Sequence, residues 1–170
     1  MDENPMRQIR IEKVTLNIGC GPDQQKVEKA KKLLEYLTKE KAIITPSRKR
    51  STFGVAKGKP LGAAITLRKQ KAIDFLKKAF AAVDNKIKSS QLDKDGNFSI
   101  GIKEYIDLPG VKYQHDIGML GADVAVTLER PGYRIKRRKI QNRKIPKKHK
   151  INKEEVKEWL RKSFGVEVVE

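Results

Sequence analysis

Cysteine, histidine and aromatic residues are scarce in this chain, and no uninterrupted apolar run approaches the roughly 20 residues of a membrane span. The lone Cys20 cannot form an internal disulfide, so nothing requires an oxidising compartment; its simplest role is a small apolar filler at a strand end. No signal-peptide core follows Met1, which predicts a soluble, intracellular protein. The two histidines, His115 and His149, cannot make a zinc set of recognised spacing with a single cysteine. His115 stands beside Asp116, but adjacent loop residues seldom form an acid-base dyad. Gly19 and Gly21 open like a dinucleotide fingerprint, yet the third glycine is missing and Pro22 intervenes. Gly54 to Lys59 has the glycine spacing of a phosphate loop one residue short, and Pro60 replaces the hydroxyl residue that would hold magnesium. No catalytic role, metal or cofactor is therefore expected.

Cations are what the chain has in abundance: 39 Lys and Arg against 21 Asp and Glu, a net charge of +18. Their distribution matters more than their number. From Thr45 to Lys69 the chain carries Arg48, Lys49, Arg50, Lys57, Lys59, Arg68 and Lys69 without an acid, with Thr52, Phe53, Gly54, Gly58, Pro60 and Gly62 between them. From Tyr133 to Lys150 come Arg134, Lys136, Arg137, Arg138, Lys139, Arg143, Lys144, Lys147, Lys148 and Lys150, again with no acid. The rest of the chain is close to neutral, and such segregation is what a polyanion-binding surface needs. Basic side chains neutralise phosphates, glycines let the backbone approach a sugar-phosphate chain, and an exposed ring can stack on an unpaired base. A solvated basic loop with a buried Phe53 is the plainer alternative for the first tract.

Periodicity divides the chain. Glu12 to Gly19 alternates, with Val14, Leu16 and Ile18 opposite Lys13, Thr15 and Asn17, as in a half-buried strand. Asp23 can cap a helix running to Lys39, and a second helix follows over Ala72 to Val83. Between them, Ala42 to Thr45 and Leu61 to Arg68 read as the limbs of a long hairpin with a basic tip. Phe98 to Ile102 and Val124 to Leu128 are further strands, separated by a loop from Leu108 to Gly121 long enough to suggest a contact role. Asn152, with Glu155 three residues on and Gly165 as the stop, bounds a last helix over 152–164 whose Trp159 is expected in the core. The tract at 133–150 has no apolar pattern and is expected to settle only against a phosphate partner. These signals predict one α+β domain over 1–170, a mostly antiparallel sheet with helices packed on one face and a long basic hairpin.

Five segments in order carry a resemblance to a known family. They are Thr15-Leu-Asn-Ile-Gly-Cys-Gly21; Thr52-Phe-Gly-Val-Ala-Lys-Gly-Lys-Pro-Leu-Gly62 leading to Ile65-Thr-Leu-Arg68; Asn97-Phe-Ser-Ile-Gly-Ile102; Ile106-Asp-Leu-Pro-Gly-Val-Lys-Tyr113; and Leu128-Glu-Arg-Pro-Gly-Tyr-Arg134. Together they resemble the family of the fifth large-subunit ribosomal protein, which binds 5S rRNA, and more its archaeal and eukaryotic branch than its bacterial one. The resemblance implies a non-catalytic constituent of the cytoplasmic ribosome that fixes 5S rRNA in the central protuberance. It assigns RNA binding to Asn17, Phe53 and Thr66; the two basic tracts add Arg48, Lys49, Arg50, Thr52, Arg68, Arg137, Arg138, Lys139 and Arg143 as further groups expected to bind RNA. It puts Glu40 where the bacterial site has a glutamine, and a carboxylate there repels phosphate unless it meets a base amine. It further implies contact of Lys57, Gly58 and Lys59 with peptidyl-site tRNA. A bridge to a small-subunit head protein would run through the loop bearing Pro109, Gly110, Val111, Lys112, Tyr113 and Gly118. Large-subunit rRNA and neighbouring proteins are the remaining expected partners. A general nucleic-acid binder without 5S rRNA preference is the alternative that charge alone allows.

Overall fold

The computed structural model describes residues 4–50, 52 and 54–169. After a short N-terminal turn, β1 (Arg10–Gly19) is followed by α1 (Gln24–Thr38), the hairpin β2 (Ile43–Pro46) and β3 (Pro60–Leu67), and α2 (Lys69–Ala81). Then come β4 (Lys86–Lys88), β5 (Phe98–Ile102), β6 (Ala122–Glu129), a one-turn α3 (Arg134–Arg137), α4 (Lys153–Phe164) and β7 (Glu167–Val169). Five strands form one antiparallel sheet in the order β2-β3-β1-β6-β5, and β4 and β7 make a small parallel pair. The expected α+β architecture is what the chain adopts.

Local chemistry accounts for the helices. The Asp23 carboxylate accepts the backbone N–H groups of Gln25 and Lys26 at the start of α1, at 3.0 and 3.3 Å. At α4 the Glu155 carboxylate accepts the N–H of Asn152 at 3.0 Å, and Gly165 closes the helix in the left-handed conformation, φ +65°. Ala30, Leu33 and Leu34 of α1, with Phe75, Leu76 and Phe80 of α2, bury their stripe in one core with Val14, Leu16, Ile18, Ile65, Leu67, Val124 and Val126. α4 joins this core through Val156 and Leu160. Trp159, expected inside, is half-buried: it packs against the core and sits edge-on to Phe164 at 5.5 Å. The pattern is right for α4, but the helix lies at the rim of the core.

The strands have period two, so burying one set of side chains turns the other set outward. At Gly62 the two sheet neighbours come so close that a Cβ would collide with the Ile18 carbonyl, and glycine is required there.

Candidate nucleic-acid interface

With the helices on one side, the opposite side of the sheet is left open. Across it the register aligns Ile43, Ala64, Asn17, Asp123 and Gly101 in one row and Thr66, Thr15, Ala125 and Ser99 in the next. Lys13 faces Thr127 beyond them, and Gly19 faces Gly62 at the other end. Asn17, Thr66, Asp123, Ala125, Ser99 and Gly101 are exposed, while their strand neighbours Leu16, Ile18, Ile65, Leu67, Val124 and Val126 are buried. Small side chains leave this face shallow, and amide, hydroxyl and carboxylate groups stud it. Asn17 and Thr66 thus lie together on the open face, one strand apart. Thr15, Ser99, Asp123 and Thr127 belong to the same face. Strand parity alone could have named them.

The two cationic tracts flank this face at opposite ends of β1. The hairpin tip, 47–59, lies at the Gly19 end. It is held by backbone bonds from Ser47 N–H to Lys59 O (2.8 Å) and from Gly58 N–H to Ser47 O (2.9 Å), and by the buried Val55. Gly54 and Gly58 take left-handed φ values of +77° and +87°, which the turn requires of glycine. Arg48, Lys49, Arg50, Thr52, Lys57 and Lys59 are exposed, and none of these cations has a carboxylate partner among the described residues. Arg68, also exposed, ends β3 at the far end. Phe53 lies outside the described residues.

The second tract is attached differently. Arg130, 4% exposed, sends Nη1 to the carbonyls of His149 (3.4 Å) and Lys150 (3.2 Å) and Nη2 to the Glu155 carboxylate (2.8 Å). The Tyr133 hydroxyl donates to the His149 carbonyl at 3.3 Å and accepts the Ile151 N–H at 3.2 Å. His149 Nε2 lies 2.9 Å from the Pro131 carbonyl. These bonds close the base of a loop and leave its cations outside. The tract is expected to order only against phosphate; here the buried Arg130 and the half-buried Tyr133 and His149 tie its base to the segment after β6 and to α4. Its Arg137 guanidinium bridges the carboxylates of Glu12 in β1 and Glu129 in β6, while Lys150 pairs with Asp95 at 2.9 Å. Arg138 turns back to the Gln141 carbonyl at 2.7 Å, and Lys139 and Arg143 are exposed without a carboxylate partner among the described residues.

The pKa shifts follow these contacts. Burial tends to raise the Glu155 carboxyl, but the Asn152 N–H and the Arg130 guanidinium together hold it below the usual range. The Lys150 ammonium lowers Asp95 in the same way. Burial raises the Cys20 thiol, Asp23 adds to this, and the Sγ–H points to the Lys26 carbonyl at 3.5 Å, the setting of an inert thiol. His115 and Asp116 are both exposed, and among the described residues no three metal-ligating side chains cluster. Glu40 is ion-paired with Lys71 of α2, which offsets its charge. The loop after Leu108 is pinned by the buried Tyr105, whose hydroxyl accepts the Gln114 N–H at 2.9 Å. Pro109, Gly110, Lys112 and Tyr113 are exposed on it, and Val111 and Gly118 are half-buried. No helix is long and apolar enough to cross a membrane among the described residues.

An open, shallow, polar sheet face between two cationic extensions defines a scaffold for docking a polyanion. Two family models divide the chain between them: Ribosomal protein L5 matches residues 4–55, and the ribosomal L5P family C-terminus matches residues 60–159. A large ribosomal subunit protein uL5 from Sulfurisphaera tokodaii is 47% identical over 169 residues, 98% of this chain and 96% of its own. Its counterparts from Nanoarchaeum equitans (46% identical, 98% of this chain and 99% of that one) and Sulfolobus acidocaldarius (44%, 99% and 95%) align as fully. The chain belongs to the ribosomal protein L5 family. It is a structural constituent of the large ribosomal subunit, partnered by ribosomal RNA and proteins, and not an enzyme.

Proposed function

We propose that this chain docks 5S rRNA on the open face of its sheet and so anchors that RNA in the central protuberance of the large subunit. The observation that carries the reading is the exposed face itself: Asn17, Thr66, Thr15 and Ser99 present amide and hydroxyl groups at a depth where 2′-hydroxyls and base edges can reach them. Asp123, beside Asn17, accepts only, so it favours a hydroxyl or an exocyclic amine over phosphate. Arg48, Lys49, Arg50, Arg68, Lys139 and Arg143 neutralise the RNA backbone at the edges, and they position more than they read sequence. Phe53 stacks on a base in this reading, and Phe53→Ala is expected to cost about 1–3 kcal/mol of binding.

The hairpin tip, through Lys57, Gly58 and Lys59, meets the peptidyl-site tRNA. The Pro109 to Gly121 loop meets a small-subunit head protein through Lys112 and Tyr113. Both contacts suit exposed loops borne on a rigid frame. The deciding experiment is a titration of the full chain at several salt concentrations with 5S rRNA, tRNA and duplex DNA of matched length as competitors. 5S rRNA is expected to displace the others at the same salt slope. Equal affinities would leave only a general nucleic-acid binder.

A further inference from the structure

The second tract does more than add charge beside the sheet: it arches over the Lys13 end of the open face and encloses a groove of about 540 Å³. It is lined by the Lys13–Thr127 pair of β1 and β6 on the sheet and by Tyr133, Asn142 and Ile145 of the second tract. Two ion pairs in the lining hold it in shape: Arg137 with Glu12, and Lys150 with Asp95. Those pairs also use up the groove's carboxylates. Lys13, Lys136, Arg143, Lys144 and Lys147 are left lining it with no carboxylate partner among the described residues. Asn142 gives its Nδ2 to the Lys136 carbonyl at 2.7 Å, and its Oδ1 has no donor among the described residues. The groove therefore combines uncompensated cations, apolar surface from Tyr133 and Ile145, and an amide oxygen, within the size range of small-ligand sites.

We propose that this groove receives one unpaired nucleotide of ribosomal RNA, turned out of its helix. The cations take its phosphates, the tyrosine and isoleucine surfaces cover its base, and Asn142 Oδ1 accepts from a base N–H. A phosphate alone would need the cations but not the apolar surface of Tyr133 and Ile145. The inference rests on the reading of this chain as an RNA-docking protein, but not on which RNA it prefers.

The test uses the full chain and two RNA hairpins of equal length, one fully paired and one with a single bulged 4-thiouridine. The bulged hairpin is expected to bind about tenfold more tightly. Thr127→Trp, which fills the groove without removing a cation, is expected to abolish that preference. Irradiating the wild-type complex is expected to attach the thiouridine to the peptide bearing Thr127 or to the segment 133–147, a result independent of how the variant folds. Equal binding of the hairpins, a preference kept by Thr127→Trp, displacement by poly-glutamate as effective as by the bulged hairpin, or an adduct on the 47–59 tip would each overturn the inference. The 5S rRNA competition reads the parent proposal separately, so either can fail alone.

Discussion

The two basic tracts look alike as strings of residues and are built as opposites. The hairpin tip is held by main-chain bonds, the Ser47 hydroxyl donating to the Lys49 carbonyl and one buried valine, and its cations stand free of carboxylates among the described residues. The second tract is held by side chains: Arg130, Tyr133, Arg137, His149 and Lys150 all bond to other parts of the fold. Removing charge from the tip should therefore change binding and spare the fold. Removing particular charges from the second tract should change the fold first.

The largest effect is expected at Arg130. Arg130→Met leaves the His149 and Lys150 carbonyls and the Glu155 carboxylate without their donor. Severing a buried pair costs about 3–5 kcal/mol, and with the Glu155 side chain 40% exposed the low end applies, about 3 kcal/mol. Thermal unfolding should shift down by about 6–12 °C. The matching change at the tip, Arg48, Lys49 and Arg50 together to Gln, should stay within about 0.5 kcal/mol of the parent in the same measurement. Its effect belongs to binding: each lost phosphate contact lowers the slope of log affinity against log salt by about 0.7–0.9, so about 2.1–2.7 in all. A tip variant that melts early, or an Arg130 variant that does not, breaks the distinction.

Acid sharpens it. The folded Glu155 carboxyl lies below its ordinary value, so the stability it lends is complete above the unfolded carboxylate range of about 4.3 and is lost as pH falls through the lowered folded value. Asp95, lowered by Lys150, acts in the same direction but is solvent-exposed and adds little. The base of the second tract should then loosen below about pH 4, seen as pepsin cleavage within 134–148 ahead of global unfolding. The tip has no such paired carboxylates among the described residues, and its cleavage should show no step in that window.

Where the determinants are local, the fold was legible in the residues. The Asp23 and Asn152 caps, the Gly165 stop and the alternation of Val14 to Ile18 and Phe98 to Ile102 each lie within one turn or one strand, and each element appears where they put it. The outward position of Asn17 and Thr66 follows from the same parity. Illegible were pairings between distant positions. Arg130 reads as a polar residue before a Pro-Gly turn, and nothing near it announces that Glu155 and two carbonyls some 20 residues on will bury it. Lys86-Ile87-Lys88 has one apolar side chain, too little to signal a strand, and pairs in parallel with Glu167–Val169 only because α4 delivers that segment. The groove is of this kind too, made by a loop folding back.

The smallest effect tests the comparison inside the second tract itself. Arg137 and Lys139 are two residues apart in one run of cations, and charge counting treats them as equal. Arg137 lies across the Glu12 and Glu129 carboxylates with 48% of its side chain exposed, whereas Lys139 is exposed with no carboxylate partner among the described residues. Solvent screens the Arg137 pairs, so Arg137→Gln should cost about 0.5–1 kcal/mol of stability, a melting shift of 1–4 °C at most. Because Glu12 and Glu129 already neutralise that guanidinium, its loss should leave the salt slope of RNA binding almost unchanged. Lys139→Gln should do the reverse, lowering the slope by about 0.7–0.9 with no melting shift. If instead Arg137→Gln flattens the slope as much as Lys139→Gln does, RNA must displace the two carboxylates on binding, and Arg137 serves as a phosphate ligand and not as a tether.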